Sequence, residues 1–380
     1  MGMGWDEIEK IDGFAGLRAH AETNVLPLLE NAGLTASDGA RLKRRLSRAV
    51  SGGFIAFVLS FLLVQALLPD SWWGETLVFI LFPLLFLGCL LGSLLLYWRS
   101  FLRLVLDAKT RFLVRARALS ALGEPLGLSY VAMPGGMPPA LKWLAGQSWA
   151  PAELKDAAGA LEQAGGMEEA VAAARDAGLM IESNVYVIGS AEQKAQYQET
   201  AARHAQVEDG FHGRRGGIDF ELFEWVERVE KAPSIHHLVI VLEAPLTLHG
   251  VTQLRARKTG WPQDTAAGFT EVDLGPRAFG ELYRLRSTDQ VEARAIFNPA
   301  VIERVIALAE GGAFRAVGKG SRLVFDFPGA DRFALIDLVT GAWSPETLER
   351  TASDLAAALA LVDTLAHAFM LARKSDTGGT

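Results

Sequence analysis

The sequence predicts an α+β fold: a two-helix transmembrane hairpin followed by a cytoplasmic α+β domain with a mainly antiparallel sheet. Two long apolar segments, residues 49–68 and 77–98, contain no Asp, Glu, Lys or Arg and predict the hairpin. Beyond residue 180, apolar stretches of strand length and two well-marked helices follow each other without regular alternation, which favours α+β over α/β.

Each apolar segment has about the twenty residues that a helix needs to cross the hydrocarbon core of a bilayer. The connector at residues 69–76 begins with Pro69 and contains Trp72 and Trp73, which is typical of a helix end at a membrane interface. A pair of buried core helices is the alternative, and the complete lack of charge disfavours it.

Basic residues flank the hairpin on both sides, whereas the connector carries only Asp70 and Glu75. The flanking residues are Arg41, Lys43, Arg44, Arg45, Arg48, Arg99, Arg103, Lys109, Arg111, Arg115 and Arg117. Because positive charge is retained on the cytoplasmic side, we expect both termini in the cytoplasm of a multi-pass protein of the bacterial cytoplasmic (inner) membrane.

The chain is expected to divide into five parts. They are an amphipathic N-terminal helical arm (1–48), the transmembrane hairpin (49–98), a helical cytoplasmic extension and linker (99–180), the cytoplasmic α+β domain (181–373) and a disordered tail (374–380).

Composition excludes several classes of function. The net charge of −7 argues against a general nucleic-acid binder. The only cysteine, Cys89, lies in the second apolar segment, which excludes an intrachain disulfide and a cysteine-based zinc site.

Strand patterns dominate the predicted cytoplasmic domain. Ile218, Phe220 and Leu222 alternate with polar residues and predict a half-buried strand, although the glutamates of residues 218–230 fit a helix nearly as well. Further strands are predicted at residues 185–188, 238–242, 251–258 and 282–285. Gly250 is expected to turn the chain into the strand at 251–258. A hairpin is expected around Gly318, Lys319 and Gly320, between strands 314–317 and 323–327.

Two helices have clear start signals. Asn298 can cap one helix, with Pro299 at its first position. The other is expected to begin at Ser344–Pro345 and to end near Arg373.

Residues 287–299, with the sequence STDQVEARAIFNP, resemble the signature region of a bacterial membrane family catalogued as domain of unknown function 3137. Residues 207–213 and 218–230 are also similar to that family, and the resemblance covers roughly residues 200 to 365 together with the hairpin. It implies a two-helix anchor and a cytoplasmic domain, and it implies no activity.

The acidic pair of this signature region has the spacing of a helix cap. Asp289 is followed three residues later by Glu292, which predicts a capping box with Asp289 as the N-cap. We therefore expect a structural role for the pair rather than a catalytic one.

No motif identifies catalytic, cofactor-binding or metal-binding residues, and no cofactor is expected. The glycine-rich residues 213–217 lack the Lys-Ser/Thr ending of a phosphate-binding loop. His236 and His237 are adjacent, so in a strand they point to opposite faces and cannot easily share a metal. A weak metal candidate combines His204 and His212 with Glu208 and Asp209.

Four arginines are candidates for partner binding. Arg255 and Arg257 fall on one face of the strand predicted at residues 251–258, together with Gln253, and Lys258 follows. With Arg214 and Arg215 they can form a basic patch for an anionic partner or headgroup. A solvated strand face is the alternative.

Small residues recur on both apolar segments: Gly52, Ala56 and Ser60 at four-residue steps on the first, and Gly88 and Gly92 on the second. Such faces allow close packing within the hairpin or the formation of a homo-oligomer.

The sequence therefore predicts a non-enzymatic, membrane-anchored interaction or scaffold module of unknown pathway, with the lipid bilayer and a protein as partners and no nucleic acid. The alternatives are a membrane-bound enzyme with a site assembled from distant residues and an accessory subunit of a transport or envelope complex. A deep pocket lined by convergent polar residues would favour the enzyme, whereas a flat apolar or charged patch would favour the scaffold.

Overall fold

The computed structural model describes residues 3–31, 110–134, 167–177, 206–227, 233–257, 268–273, 277–310, 312, 314–337 and 343–377. The predicted hairpin at 49–98 and the candidate strand at 185–188 lie outside the described residues. The chain divides into two compact units, and the first comprises Met1–Asn24, Leu119–Ala334 and Leu348–Thr380. The second comprises Val25–Ala118 and Leu335–Thr347. The sheet and all sites described below belong to the first unit.

The described helices alternate irregularly with strands. They are α1 Trp5–Ile8, α2 Leu17–His20, α3 Leu26–Asn31, α4 at 110–123, α5 Glu168–Asp176, α6 Arg277–Leu282, α7 Gln290–Ile296, α8 Pro299–Leu308 and α9 Pro345–Thr377. The strands are β1 Ser129–Val131, β2 Gln206–Arg215, β3 Ile218–Glu227, β4 Ile235–Ala256, β5 Thr270–Val272, β6 Tyr283–Ser287 and β7 Arg315–Gly329. The α+β class is confirmed.

The strands form a seven-stranded sheet in the order β1-β2-β3-β4-β6-β5, and β7 also pairs with β4. Every pairing among the described strands is antiparallel. The first half of β4 lies between β3 and β7, and its last residues lie between β6 and β7. The strands predicted around residues 218–222 and 238–242 are confirmed.

Two expected turns are wrong. Gly250 lies inside β4, which continues to Ala256, and residues 318–320 lie inside β7, so neither position ends a strand. The long-range pairing between β4 and β7 prevails over the local turn signals, and β4 takes up the extra residues in register shifts between Glu243 and Leu248 and between Leu248 and Thr252.

The β4–β7 ribbon is sharply bent. Arg315 and Asp326 are 11 positions apart on β7, yet Arg315 Nε donates to Asp326 Oδ2 at 2.9 Å. A straight strand would separate the two residues by about 36 Å. The β4–β7 ribbon therefore bends sharply near Gly318 and Gly320, where a hairpin was expected, and β7 continues through the bend. Gly320 has φ +62° there, and a Cβ on Gly318 would come within 3.1 Å of Leu323 Cδ1.

The helix α8 begins with a side-chain cap. Asn298 Oδ1 accepts hydrogen bonds from Ala300 N at 3.0 Å and Val301 N at 3.1 Å, and Pro299 is the first residue of α8. The predicted cap is confirmed. It starts α8 where its buried stripe, Val301, Ile302, Val305 and Leu308, faces the core.

The helix α9 begins at Pro345, as predicted, and continues to Thr377, four residues beyond its expected end. Among the described residues, Pro345–Leu371 is long and apolar enough to cross a membrane, with a mean hydropathy of 1.5. However, 56% of that window is buried inside the protein. Since buried core helices meet the same criterion, length and apolarity are weak evidence that α9 crosses a membrane.

Candidate functional site

The four candidate arginines lie on two different parts of the sheet. Arg214 and Arg215 end β2, where Arg215 pairs with Ile218 across the turn to β3. Arg255 lies near the end of β4, and Arg257 directly follows that strand. No contact described for these side chains joins the first pair to the second.

Three of these arginines contact a carboxylate. Arg214 Nε lies 3.5 Å from Asp219 Oδ1. The Nε of Arg215 donates to Asp363 Oδ1 at 2.9 Å, and a guanidinium nitrogen of Arg257 donates to Glu271 Oε1 at 2.7 Å. Their positive charge is therefore partly neutralised within the protein. The partner-binding role of Arg214, Arg215, Arg255 and Arg257 remains a prediction.

The signature segment has a structural role. Asp289 Oδ1 accepts from Val291 N at 2.9 Å and Glu292 N at 3.0 Å, so Asp289 caps α7 as predicted. The reciprocal half of the capping box is wrong, because Asp289 N donates to Ser287 Oγ at 3.0 Å rather than to Glu292.

The Glu292 carboxylate instead holds the backbone of β4. Its two oxygens accept from His249 N and Gly250 N, each at 2.9 Å, and Thr288 Oγ1 accepts from Val251 N at 2.8 Å. These amides lie at the second register shift of β4, where the regular ladder is interrupted. A Cβ at Gly250 would lie 2.7 Å from Asp289 Cβ, so glycine permits this close approach.

A polar cleft opens between α5 and the sheet. Its volume is about 430 Å³, and charged side chains from α5, β2, β3, β4 and β7 line it. The charged and imidazole side chains are Glu169, His212, Arg214, Asp219, Glu221, Glu243 and Arg322. Register explains why they converge: His212 is paired with Glu221, Arg214 with Asp219, and Glu243 with Arg322, so the members of each pair point to one face.

Negative charge predominates in this cleft. The two guanidinium groups face four carboxylates, and Arg322 donates to both Glu169 and Glu243, with 2.6 Å between Arg322 Nε and Glu243 Oε1. Burial raises the pKa of Glu221, and Glu169 and Glu243 raise it further against the opposing effect of Arg322. The cleft therefore suits a cationic group.

A second group of polar side chains lies at the other end of β2. One ligand-type atom each from Glu208, His236 and Asp331 lies within 4.8 Å of the others. Glu208 is on β2, His236 on β4, and Asp331 follows β7. Glu208 is paired with Glu224, and His236 with Gly329, two residues before Asp331, which brings the three positions together.

Next to this carboxylate–histidine cluster of Glu208, His236 and Asp331 lies Glu224, which is paired with Glu208 and is fully buried. Its Oε1 accepts from Arg332 N at 2.9 Å, whereas its Oε2 is buried without a hydrogen-bond partner. Burial raises the pKa of Glu224 well above its ordinary value, and the Asp331 and Asp209 carboxylates add to the effect. The Nδ1 of His236 is also buried without a hydrogen-bond partner.

His237 points away from this cluster, as expected for neighbours on a strand. Its Nδ1 lies 2.9 Å from Asp326 Oδ1 and its Nε2 lies 3.2 Å from Glu227 Oε2. Trp225 stacks on the imidazole with ring centroids 4.0 Å apart, and Arg315 binds the other oxygen of Asp326. These contacts join His237 of β4 to Glu227 of β3 and to Asp326 of β7, and Arg315 extends them to the other end of β7. The network therefore stabilises the bent ribbon.

The metal candidate named from the sequence is only partly retained. Glu208 takes part in the cluster, but His212 lies four positions further along β2 and lines the cleft instead. His204 lies outside the described residues. His236, Asp331 and Glu224 were not predicted from the sequence to share a site. Strand register brings these residues together, and no spacing along the sequence predicts that register.

No curated protein matches this chain. The crystal structure of the mycobacterial trehalose monomycolate transport factor A, TtfA, is similar at 14% identity with a TM-score of 0.24, covering 40% of this chain and 73% of that chain. A similarity of this degree supports no inference about the present protein. The family model described as protein of unknown function (DUF3137) matches residues 234–367, from the residue before β4 into α9. The resemblance noted in the sequence is thereby confirmed for the segment that carries the signature: residues 234–367 match the DUF3137 family.

Proposed function

We propose that this protein is a membrane-anchored interaction module that binds a protein partner on the cytoplasmic side of the bacterial inner membrane. The apolar segments 49–68 and 77–98 supply the anchor, and the basic residues on both sides of them set the orientation. The described sheet domain then presents its surface to the cytoplasm.

The polar cleft carries the proposal for binding. Its volume of about 430 Å³ lies within the range of ligand sites, roughly 300–1,000 Å³. The excess of carboxylates attracts a cation, and Glu221 lies among the carboxylates of Glu169 and Glu243. We therefore expect a lysine or arginine side chain of a partner protein to enter the cleft.

The signature segment supports binding rather than chemistry. A general acid or base must be able to reach a substrate proton. Asp289 and Glu292 instead accept hydrogen bonds from the backbone amides of α7 and β4. These carboxylates stabilise the fold.

The second candidate is a membrane-bound enzyme, and both the convergent polar side chains of the cleft and the carboxylate–histidine cluster favour it. Glu208, His236 and Asp331 come from distant parts of the chain, as a site assembled in space requires. If the cross-linking experiment described below yields no partner adduct, the enzyme becomes the better-supported function.

Site-specific cross-linking in cells tests the binding proposal. A photo-cross-linking residue replaces Asp219, whose side chain is 65% exposed at the cleft, in the full-length protein. The matched control replaces Glu303, an exposed acidic residue on α8 outside the cleft. We expect a discrete adduct in the membrane fraction from position 219 only.

Charge reversal then tests the chemistry of the cleft. Glu221→Lys should abolish the adduct at position 219, whereas Glu303→Lys should leave it unchanged. No adduct at position 219, or the same adduct at both positions, would contradict the proposal.

A further inference from the structure

We propose that Glu208, His236 and Asp331 bind a divalent transition-metal ion, with Glu224 completing the donor set. The inference does not depend on the polar cleft or on its partner. It rests on the spacing of the side chains, on two buried atoms without hydrogen-bond partners and on the chemistry of the donors.

The spacing is close to that of a metal site. The three donor atoms lie within 4.8 Å of one another. Around a tetrahedral ion with bonds of about 2.0–2.2 Å, donor atoms lie roughly 3.4 Å apart. The observed limit of 4.8 Å exceeds that spacing by about 1.4 Å, so the donor atoms would draw closer when an ion binds.

The buried Glu224 is the independent observation. Its Oε2 has no hydrogen-bond partner although the residue is fully buried, and its carboxyl group faces the Asp331 side chain. An unsatisfied buried carboxylate is costly, and two adjacent carboxylates require a proton or a cation between them. His236 offers one ring nitrogen within 4.8 Å of the Glu208 and Asp331 donor atoms, and its Nδ1 is buried without a hydrogen-bond partner.

The guanidinium group of Arg332 is not directed at the Glu224 carboxylate. Arg332 gives only its backbone N–H to Glu224. Its guanidinium group points elsewhere, with one nitrogen donating to Asp354 Oδ1 at 3.0 Å and another to Leu308 O at 2.9 Å. This guanidinium group therefore forms no ion pair with Glu224.

The surroundings hold the donors in place. Asp331 Oδ1 accepts from Phe333 N at 3.1 Å, an outer hydrogen bond of the kind that orients metal-binding carboxylates. Glu208 lies at the register shift between Glu208 and Gly210, and bulges of this kind redirect side chains beside functional sites.

The donors indicate which ion fits. One imidazole nitrogen with several carboxylate oxygens suits Zn²⁺ or Mn²⁺, whereas soft Cu(I) prefers sulfur. Mg²⁺ keeps most of its water and prefers oxygen ligands, so it is a poorer fit to a site with an imidazole nitrogen. We therefore expect Zn²⁺ to bind more tightly than Mg²⁺.

The test is calorimetric titration of the full-length, tag-free protein after treatment with a chelator, with Zn²⁺, Mn²⁺ and Mg²⁺ each as the titrant. We expect one Zn²⁺ per chain, with Mg²⁺ unable to compete. His236→Gln should weaken Zn²⁺ binding by more than about tenfold, and Glu224→Gln by about tenfold. The control His212→Gln, in the polar cleft, should bind as the wild type does.

Thermal unfolding provides a second measurement, since an ion that binds only the folded state raises the Tm. Zn²⁺ should raise the Tm of the wild type and of His212→Gln but not of His236→Gln. If His236→Gln does not fold, Glu208→Gln takes its place. The proposal is overturned if the wild type binds no stoichiometric Zn²⁺, or if the variants of the cluster bind it as tightly as the wild type.

Discussion

Replacing Glu292 with alanine should destabilise the protein through the backbone of β4. The two carboxylate oxygens accept from His249 N and Gly250 N, each at 2.9 Å. A hydrogen bond to a charged group contributes about 1.5–3 kcal/mol. The Gly250 bond is partly buried and the His249 bond is exposed, so we expect Glu292→Ala to cost about 2–3 kcal/mol in total.

Chemical unfolding and hydrogen exchange of the full-length protein measure this effect together. Glu292→Gln keeps one acceptor oxygen and should lose roughly half as much stability. Glu303→Ala, on the exposed side of α8, is the control and should change stability by less than about 0.5 kcal/mol. Amide exchange should accelerate at both residues 249 and 250 in Glu292→Ala, at one of them in Glu292→Gln, and at neither in Glu303→Ala. If Glu292→Ala unfolds like Glu303→Ala and its amides remain protected, Glu292 does not hold β4.

Three further predictions concern stability. Asn298→Ala should lower the free energy of unfolding by about 1 kcal/mol through loss of the α8 cap, and Asp289→Ala should do the same for α7 while Asp289→Asn retains most of the cap; unchanged denaturation midpoints for both alanine variants would contradict this. Gly250→Ala should destabilise the protein because its Cβ would lie 2.7 Å from Asp289 Cβ, and a wild-type Tm would show that this approach is not tight. In metal-free protein the pKa of Glu224 is raised, so the folded state keeps a proton that the unfolded state releases. The contribution of this proton to stability is full below the ordinary glutamate pKa and is lost as pH rises towards the folded pKa. Glu224→Gln should therefore flatten the fall in Tm between acidic and neutral pH, and parallel Tm profiles of the variant and the wild type would refute this prediction.

Local signals in the sequence were sufficient for several elements. The alternation at Ile218, Phe220 and Leu222 is a property of neighbouring residues, and the strand it predicts is present as β3. The cap at Asn298 and the start of α9 at Pro345 are also determined within one helical turn. Such features depend little on the rest of the chain.

Features that depend on long-range pairing were misread or missed. Gly250 and Gly318 carry turn signals, but they serve close approaches to Asp289 and Leu323 within long strands. Glu292 has the spacing of a capping box and instead reaches β4, more than forty residues earlier in the chain. The register of the sheet brings the carboxylate–histidine cluster together, and a single sequence does not reveal that register.

The central claim is that the hairpin anchors the protein and leaves the sheet domain in the cytoplasm, and cysteine labelling in intact cells tests it most directly. In a Cys89→Ser background, one cysteine is placed at Glu75 in the connector or at Glu303 on α8. We predict that both variants stay in the membrane fraction and that a membrane-impermeant maleimide labels position 75 only, with position 303 labelled after lysis. Labelling of position 303 in intact cells, or recovery of either variant outside the membrane fraction, would contradict the account.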